Sequence, residues 1–207
     1  MDDKELSNCI GNFKKTGNNL YFEKLYRFFF KKIYRFVLLN ISDHQIAEDI
    51  TINVFYNIYK YITKIRLNPT SFKPWIYKIA RNLIIDYYRK EAKYKKTQSL
   101  EQYLEEKQIN SSENIEKIDS SFIIEISEKN FSDNDIEQHF KNNDILKGLQ
   151  SLPDIQKQVL ILRFVENLDY KSIGIIINKN EQAVRAIKFR AISKLKEFIA
   201  KCIVKNN

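Results

Sequence analysis

Glycine and proline are scarce, with four and three copies in 207 residues. A chain built on hairpins and tight turns needs many more, so the shortage points to helices. Cysteine is scarcer still. Cys9 and Cys202 stand at opposite ends of the chain, which gives no disulfide framework and no metal-ligand spacing, and fits a reducing cytoplasm. His44 and His139 have no cysteine or histidine beside them and read as surface residues. The longest apolar runs, "FVLL" and "IGIII", are far too short to span a bilayer. The opening "MDDKELSN" is acidic and polar, unlike a secretory signal.

Positive charge and aromatic rings are plentiful. Net charge is +9, and 12 Tyr and 14 Phe are present. Such an excess suggests an anionic partner, nucleic acid before membrane. A lysine-rich codon usage would produce the same bias without a partner, since Ile and Asn are abundant too. The charge is unevenly spread. Residues 1–97 carry 19 Lys/Arg against 9 Asp/Glu, residues 98–144 carry 4 against 12, and residues 145–207 carry 12 against 5. Two basic blocks therefore flank an acidic one. The acidic stretch is rich in Ser, Asn and Glu with weak periodicity, and reads as a linker with room for one frayed helix.

Both basic blocks have helical spacing. Phe22, Leu25, Tyr26, Phe29, Ile33, Phe36 and Val37 share one helix face, and Ala47, Ile50, Val54, Ile58 and Ile62 make a second stripe. Between them "SDHQ" at 42–45 has the form of a capping box. "RLNPTSFKP" (66–74), with two prolines, predicts a loop. A helix over 75–90 follows. Ile76, Ile79, Ala80, Leu83, Ile84 and Tyr87 form its core side, and Tyr77, Lys78, Arg81, Asn82, Ile85, Tyr88 and Arg89 share the opposite side, with Trp75 at the edge. A surface shared by cations and rings suits DNA that is being opened. Cations neutralise phosphates and flat rings stack on unpaired bases. Trp75 would serve equally well as a core aromatic under the preceding helix.

In the last block, "LPDIQKQVLILRFV" opens on Pro153 in a first turn. Asp169 and Asn180 are positioned to cap two successive helices, with Gly174 where they touch and Asn178 ending the first. That is helix-turn-helix spacing, although a plain helical hairpin has a similar pattern. On the second helix Val184, Ile187, Ala191 and Leu195 point inward. Gln182, Arg185, Ala186, Phe189 and Arg190 point outward, where Gln and Arg can meet base edges and phosphates.

Three stretches, "AEDITINVF", "FKPWIYKIARNLIIDYYRK" and "LPDIQKQVLILRFVENLDYKSIGIIINKNEQAVRAIKFRAISKL", resemble a bacterial RNA polymerase sigma factor of the extracytoplasmic-function group in the sigma-70 family. The most specific are W-x-x-x-I-A-R-N-x-x-I-D-x-x-R and L-P-x-x-Q-x-x-V-L-x-L-R-F, found in order. The resemblance implies an all-α chain of two small helical domains joined by the acidic linker. Residues 20–91 would be a region 2-like domain, 92–143 the linker and 144–201 a region 4-like helix-turn-helix domain. No third domain fits between them.

It further implies a protein with no catalytic residue, metal or cofactor. Such a protein binds polymerase core through its clamp and flap, recognises a promoter, and helps open the duplex. An anti-sigma factor is a common partner in this group. Upstream recognition falls to Gln182, Arg185, Ala186, Phe189 and Arg190. The minus-ten element and melting fall to the loop 64–74 and to Trp75, Tyr77, Lys78, Arg81, Asn82 and Arg89. Polymerase contact falls to Glu48, Asp49, Ile52, Asn53 and Phe55. Ile52 and Asn53 stand where the family usually has Gln and an acid. Ala186 and Ile187 replace a common Ser-Arg pair, and Lys188 fills a usually apolar site. Gly174 replaces a usual Ala, a change harmless to close packing that costs helix propensity. Two readings from other classes remain. A helix-turn-helix regulator acting without polymerase would explain the last block alone. A nucleic-acid enzyme would need a carboxylate or metal cluster that the basic blocks do not offer.

Overall fold

The computed structural model describes residues 1–65, 69–101 and 143–205, and every regular element in them is helical. Four helices form the N-terminal bundle: α1 (Asp3–Thr16), α2 (Asn19–Ile41), α3 (His44–Tyr61) and α4 (Pro69–Glu101). The two apolar stripes read from sequence are its core. Phe22, Leu25, Tyr26, Phe29, Ile33, Phe36 and Val37 of α2 are buried against Ala47, Ile50, Val54, Ile58 and Ile62. Rings knit this core together, with Tyr26 and Phe55 centroids 4.5 Å apart and Phe22 and Tyr59 edge to face at 5.0 Å.

Helix α1 lies outside the domain expected from sequence. Leu6, Cys9, Ile10 and Phe13 give it a buried face at i, i+3, i+4 and i+7, and it packs on α2 and α4. Asp2 caps it, accepting from the Glu5 N–H at 2.7 Å, and Gly17 closes it at φ 65°. The helix also grips both sides of the α3–α4 connection. The Lys14 ammonium donates to the Ile65 carbonyl at 2.5 Å, and Asp3 pairs with Lys73 at 2.9 Å.

Two local expectations are corrected. Ser42 caps no helix start: it closes α2 in the left-handed region at φ 64°, and Asp43 caps α3 through the Ile46 N–H at 2.9 Å. The segment 69–74 is helix, not loop. Pro69 opens α4, where a missing N–H costs nothing, and Pro74 follows early enough to remove one bond without ending the helix. Helix α4 also runs through 92–101, into the stretch assigned to the linker. The rest of that stretch to residue 142, His139 included, lies outside the described residues.

The C-terminal bundle comprises α5 (Asn143–Gln150), α6 (Asp154–Leu160) with a π-helical turn at Ile161–Val165, α7 (Tyr170–Ile177) and α8 (Glu181–Lys205). Asp169 caps α7 through the Ser172 N–H at 2.6 Å, and Asn180 caps α8 through the Ala183 N–H at 2.8 Å. Asn178 ends α7 at φ 56°. The turn is so tight that a Cβ on Gly174 would stand 2.5 Å from the Lys179 carbonyl oxygen. Glycine here is a steric requirement, and the Ala usual in the family would collide with backbone.

The bundles dock on each other, with α7 lying across α4. Polar groups set the docking. The Glu166 carboxylate, its side chain 1% exposed, accepts from Arg35 Nε at 3.0 Å and Nη2 at 2.9 Å, and from the Tyr77 hydroxyl at 2.6 Å. Arg81 Nε donates to Gln158 Oε1 at 3.0 Å. The Asn40 carbonyl, at the end of α2, accepts from the buried Lys157 ammonium at 3.2 Å and the Tyr88 hydroxyl at 2.7 Å. A cation there also meets the negative end of the helix dipole.

Two predictions follow from this packing. Gly174→Ala should destabilise the chain by about 1 kcal/mol, because a clash of ~1–3 kcal/mol outweighs a helix-propensity gain of ~1 kcal/mol. An unchanged or raised midpoint in thermal unfolding would show that the turn can shift. Glu166→Ala leaves a largely buried Arg35 without its partner, a loss of roughly 3–5 kcal/mol for such pairs. The loss should fall on docking. Dyes on the two bundles should move apart, while helix content stays as it was.

Candidate nucleic-acid interface

Two surfaces carry the residues singled out from sequence. On α8, Val184 and Ala191 are fully buried and Ile187 and Leu195 partly so, which turns the other side of the helix outward. Gln182, Arg185, Ala186, Phe189 and Arg190 are all exposed, Phe189 at 73%. A ring that far in water is little packed among the described residues, and its apolar edge suits a thymine methyl group. Docking of the bundles leaves this face open. Ile187 turns inward with the core, and the Lys188 ammonium reaches the Tyr170 hydroxyl at 3.1 Å.

The face of α4 differs from the sequence expectation. Tyr77 is not an exposed stacking platform. It is 2% exposed, its ring edge to face with Phe36 at 5.4 Å. Burial, with the Glu166 carboxylate beside it, holds its phenol well above the usual tyrosine range, so the hydroxyl stays protonated and donates. Helical periodicity places Tyr77 opposite Ile76, but α4 is covered on two sides, by its own bundle and by α7. Arg81 is half-buried in the same contact. Lys78, Asn82 and Arg89 are exposed, and Arg89 pairs with Asp86 at 2.9 Å.

Trp75 is neither core nor free surface. It is half-buried, 5.7 Å from Phe72, at the wall of a cavity of about 230 Å³. Asn57, Tyr61, Ile65, Ile79, Asn82 and Leu83 complete the lining. The end of α3 supplies Asn57 and Tyr61, and the start of α4 supplies the rest of the wall beyond Ile65. Lys60 and Lys64 bring their ammonium groups to 5.9 and 6.0 Å from the Tyr61 ring. The site thus combines two aromatic walls and two side-chain amides with donors and acceptors, with cations beside one of the rings. The α3 contribution went unread in the sequence. Its signal was the i, i+4 spacing of Asn57 and Tyr61 on the side of α3 that its apolar stripe leaves free. The connection expected to wall this site lies partly outside the described residues, at 66–68.

The α3 residues expected to meet polymerase divide. Asp49 and Asn53 are exposed, and Glu48 and Ile52 half-buried. Phe55 is corrected. It is 1% exposed between Tyr26 and Phe30 and belongs to the core. Among the described residues no three His, Cys, Asp or Glu gather as metal ligands, and no helix is long and apolar enough to cross a membrane.

Known proteins share this arrangement. "Sigma-70 region 2" matches residues 21–94 and "Sigma-70, region 4" matches residues 148–197. The ECF RNA polymerase sigma factor SigM of Bacillus subtilis (strain 168) is 28% identical over 175 residues, covering 84% of this chain and 92% of SigM. The ECF RNA polymerase sigma factor BldN of Streptomyces coelicolor is 21% identical over 174 residues, covering 84% of this chain and 58% of BldN. Two solved structures share the fold. One is the sigma factor RpoE with the anti-sigma factor NepR from Bartonella quintana, at TM-score 0.59 and 15% identity over 86% of this chain and 96% of that one. The other is CnrH with the cytosolic domain of CnrY, at TM-score 0.60 and 13% identity over 95% and 98%. Two sigma-70 regions in order, on two docked helical bundles, place the chain in the sigma-70 family as an RNA polymerase sigma factor of the extracytoplasmic-function group, a transcription initiation factor that binds polymerase core and directs promoter recognition.

Proposed function

We propose that the cavity between α3 and α4 receives an unpaired base of the opening promoter, and that the outward face of α8 reads the upstream element. The cavity carries this reading. Tyr61 and Trp75 supply π-faces, Asn57 and Asn82 can address base edges, and Lys60 and Lys64 can neutralise the flanking phosphates. Lys78 and Arg89 extend the phosphate track along α4, and Arg81 joins it once its bond to Gln158 is given up. On α8, Gln182 and Arg185 address base edges, Ala186 and Phe189 make apolar contact, and Arg190 meets phosphate. Glu48, Asp49, Ile52 and Asn53 on the first half of α3 form the surface offered to core. The working compartment is the cytoplasm. An anti-sigma partner is supported by likeness to the fold of RpoE, which was solved with its own anti-sigma factor.

The test uses holoenzyme reconstituted with purified core. Asn82→Ala and Trp75→Ala should keep core binding and form open complexes poorly on duplex promoters. A lost base stack is worth roughly 1–3 kcal/mol. A premelted bubble should restore most of the activity, because strand separation is already supplied. Equal failure on both templates would assign this surface to polymerase instead. Tight promoter binding without core would favour a regulator that acts alone.

For the upstream element, Gln182→Ala and Arg185→Ala should erode sequence preference by ~1–3 kcal/mol each. Arg190→Ala should lower use of all sequences together and reduce the salt slope. Uniform loss in Gln182→Ala would count against base reading there.

A further inference from the structure

Tyr170 opens α7, directly after its cap Asp169, and three cations converge on its ring. The Arg185 guanidinium carbon lies 4.2 Å from the ring centroid, that of Arg163 lies 4.9 Å away, and the Lys188 ammonium 5.5 Å away. Lys188 also donates to the hydroxyl at 3.1 Å. That bond, and the other cations behind it, hold the phenol below its usual range. Arg163 is tied down separately by the Leu168 carbonyl at 2.9 Å. Arg185 is otherwise loosely held: its side chain is 59% exposed, and among the described residues it pairs with Glu181 at 3.7 Å, one turn back on the same helix. An exposed arginine with a single distant carboxylate samples many rotamers, and ordering it on binding costs affinity. A ring fixed by the cap of a neighbouring helix removes part of that cost beforehand.

We propose that Tyr170 is a positioning residue for upstream recognition: its ring holds the Arg185 guanidinium in the orientation that meets DNA, and its hydroxyl tethers Lys188 alongside. Lys188 sits where the family is usually apolar, so the tether belongs to this chain. The proposal rests on Arg185 as a base reader, and its test separates the two. In the first measurement, holoenzyme transcribes a promoter library randomised through the upstream element, and sequenced transcripts give the preference at each position. Arg185→Ala should lose preference at particular positions. Tyr170→Leu should lose roughly two- to fivefold at the same positions, and Tyr170→Phe, which keeps the ring, should retain it. The double variant Tyr170→Leu/Arg185→Ala should match Arg185→Ala alone.

The second measurement reads position directly. Nuclear relaxation at the Nε–H of Arg185 in the free protein should show more order than at Arg190, with the difference lost in Tyr170→Leu and kept in Tyr170→Phe. Should Tyr170→Leu not fold, the wild-type comparison of Arg185 with Arg190 decides, and equal mobility overturns the proposal. Unchanged preference in folded Tyr170→Leu, or an even loss across all sequences, also overturns it. No change of preference in Arg185→Ala would sink base reading by Arg185, while the relaxation data would still report whether Tyr170 holds it.

Discussion

The two bundles meet at one buried carboxylate. Glu166 leaves water only because Arg35 and Tyr77 together supply three donors to it. A carboxylate without them would not be buried there. Such a contact adds little net stability over an apolar one, but it fixes orientation, because Glu166, just before α7, must sit where Arg35 of α2 and Tyr77 of α4 both reach it. The rest of the docking follows from that placement: Gln158 beneath Arg81, and Lys157 against the end of α2.

The consequence for function is competition. Helix α4 is basic and aromatic where it faces α7, and Tyr77 and Arg81 there are occupied by the C-terminal bundle. Asn82, Trp75 and the cavity beside them are not. The same helix therefore has one part open to a ligand and another part held by the chain itself. The polar groups of the held part can exchange their partners, but Ile173, Ile176 and Ile177 of α7 belong to one apolar cluster with the N-terminal core, so full undocking would expose apolar surface. The outward face of α8 stays exposed in the docked chain.

Departures from the family pattern have local physical causes. Gly174 stands where Ala is usual because the carbonyl of Lys179 occupies the space of a Cβ. Lys188 stands at an apolar site because Tyr170 offers it a hydroxyl. Helix α1 adds a further element to the N-terminal bundle and secures the α3–α4 connection with Lys14 and with the Asp3–Lys73 pair. A short-range reading of motifs starting near residue 20 has no way to see these α1 contacts, whose partners stand 51 and 70 residues apart.

The sequence by itself determined what depends on local spacing. The apolar stripes of α2 and α3, the caps Asp169 and Asn180, the left-handed Asn178 and the outward face of α8 all follow from side-chain chemistry within a few turns, and all were legible. Boundaries were less so. Pro69 and Pro74 suggested a loop, because two prolines read as breakers until the helix start is known: Pro69 proves to open the helix, and Pro74, little more than a turn on, removes only one bond. Only the tertiary structure decided which exposed-looking residues are buried. Tyr77 and Phe55 sit at helical positions that could face water, and each is enclosed by a neighbouring element. The cavity, too, needed two helices far apart in sequence to bring Asn57 and Tyr61 against Trp75 and Asn82. Helical period gives the angle of a side chain about its own axis, whereas burial depends on how many sides of that axis other helices cover.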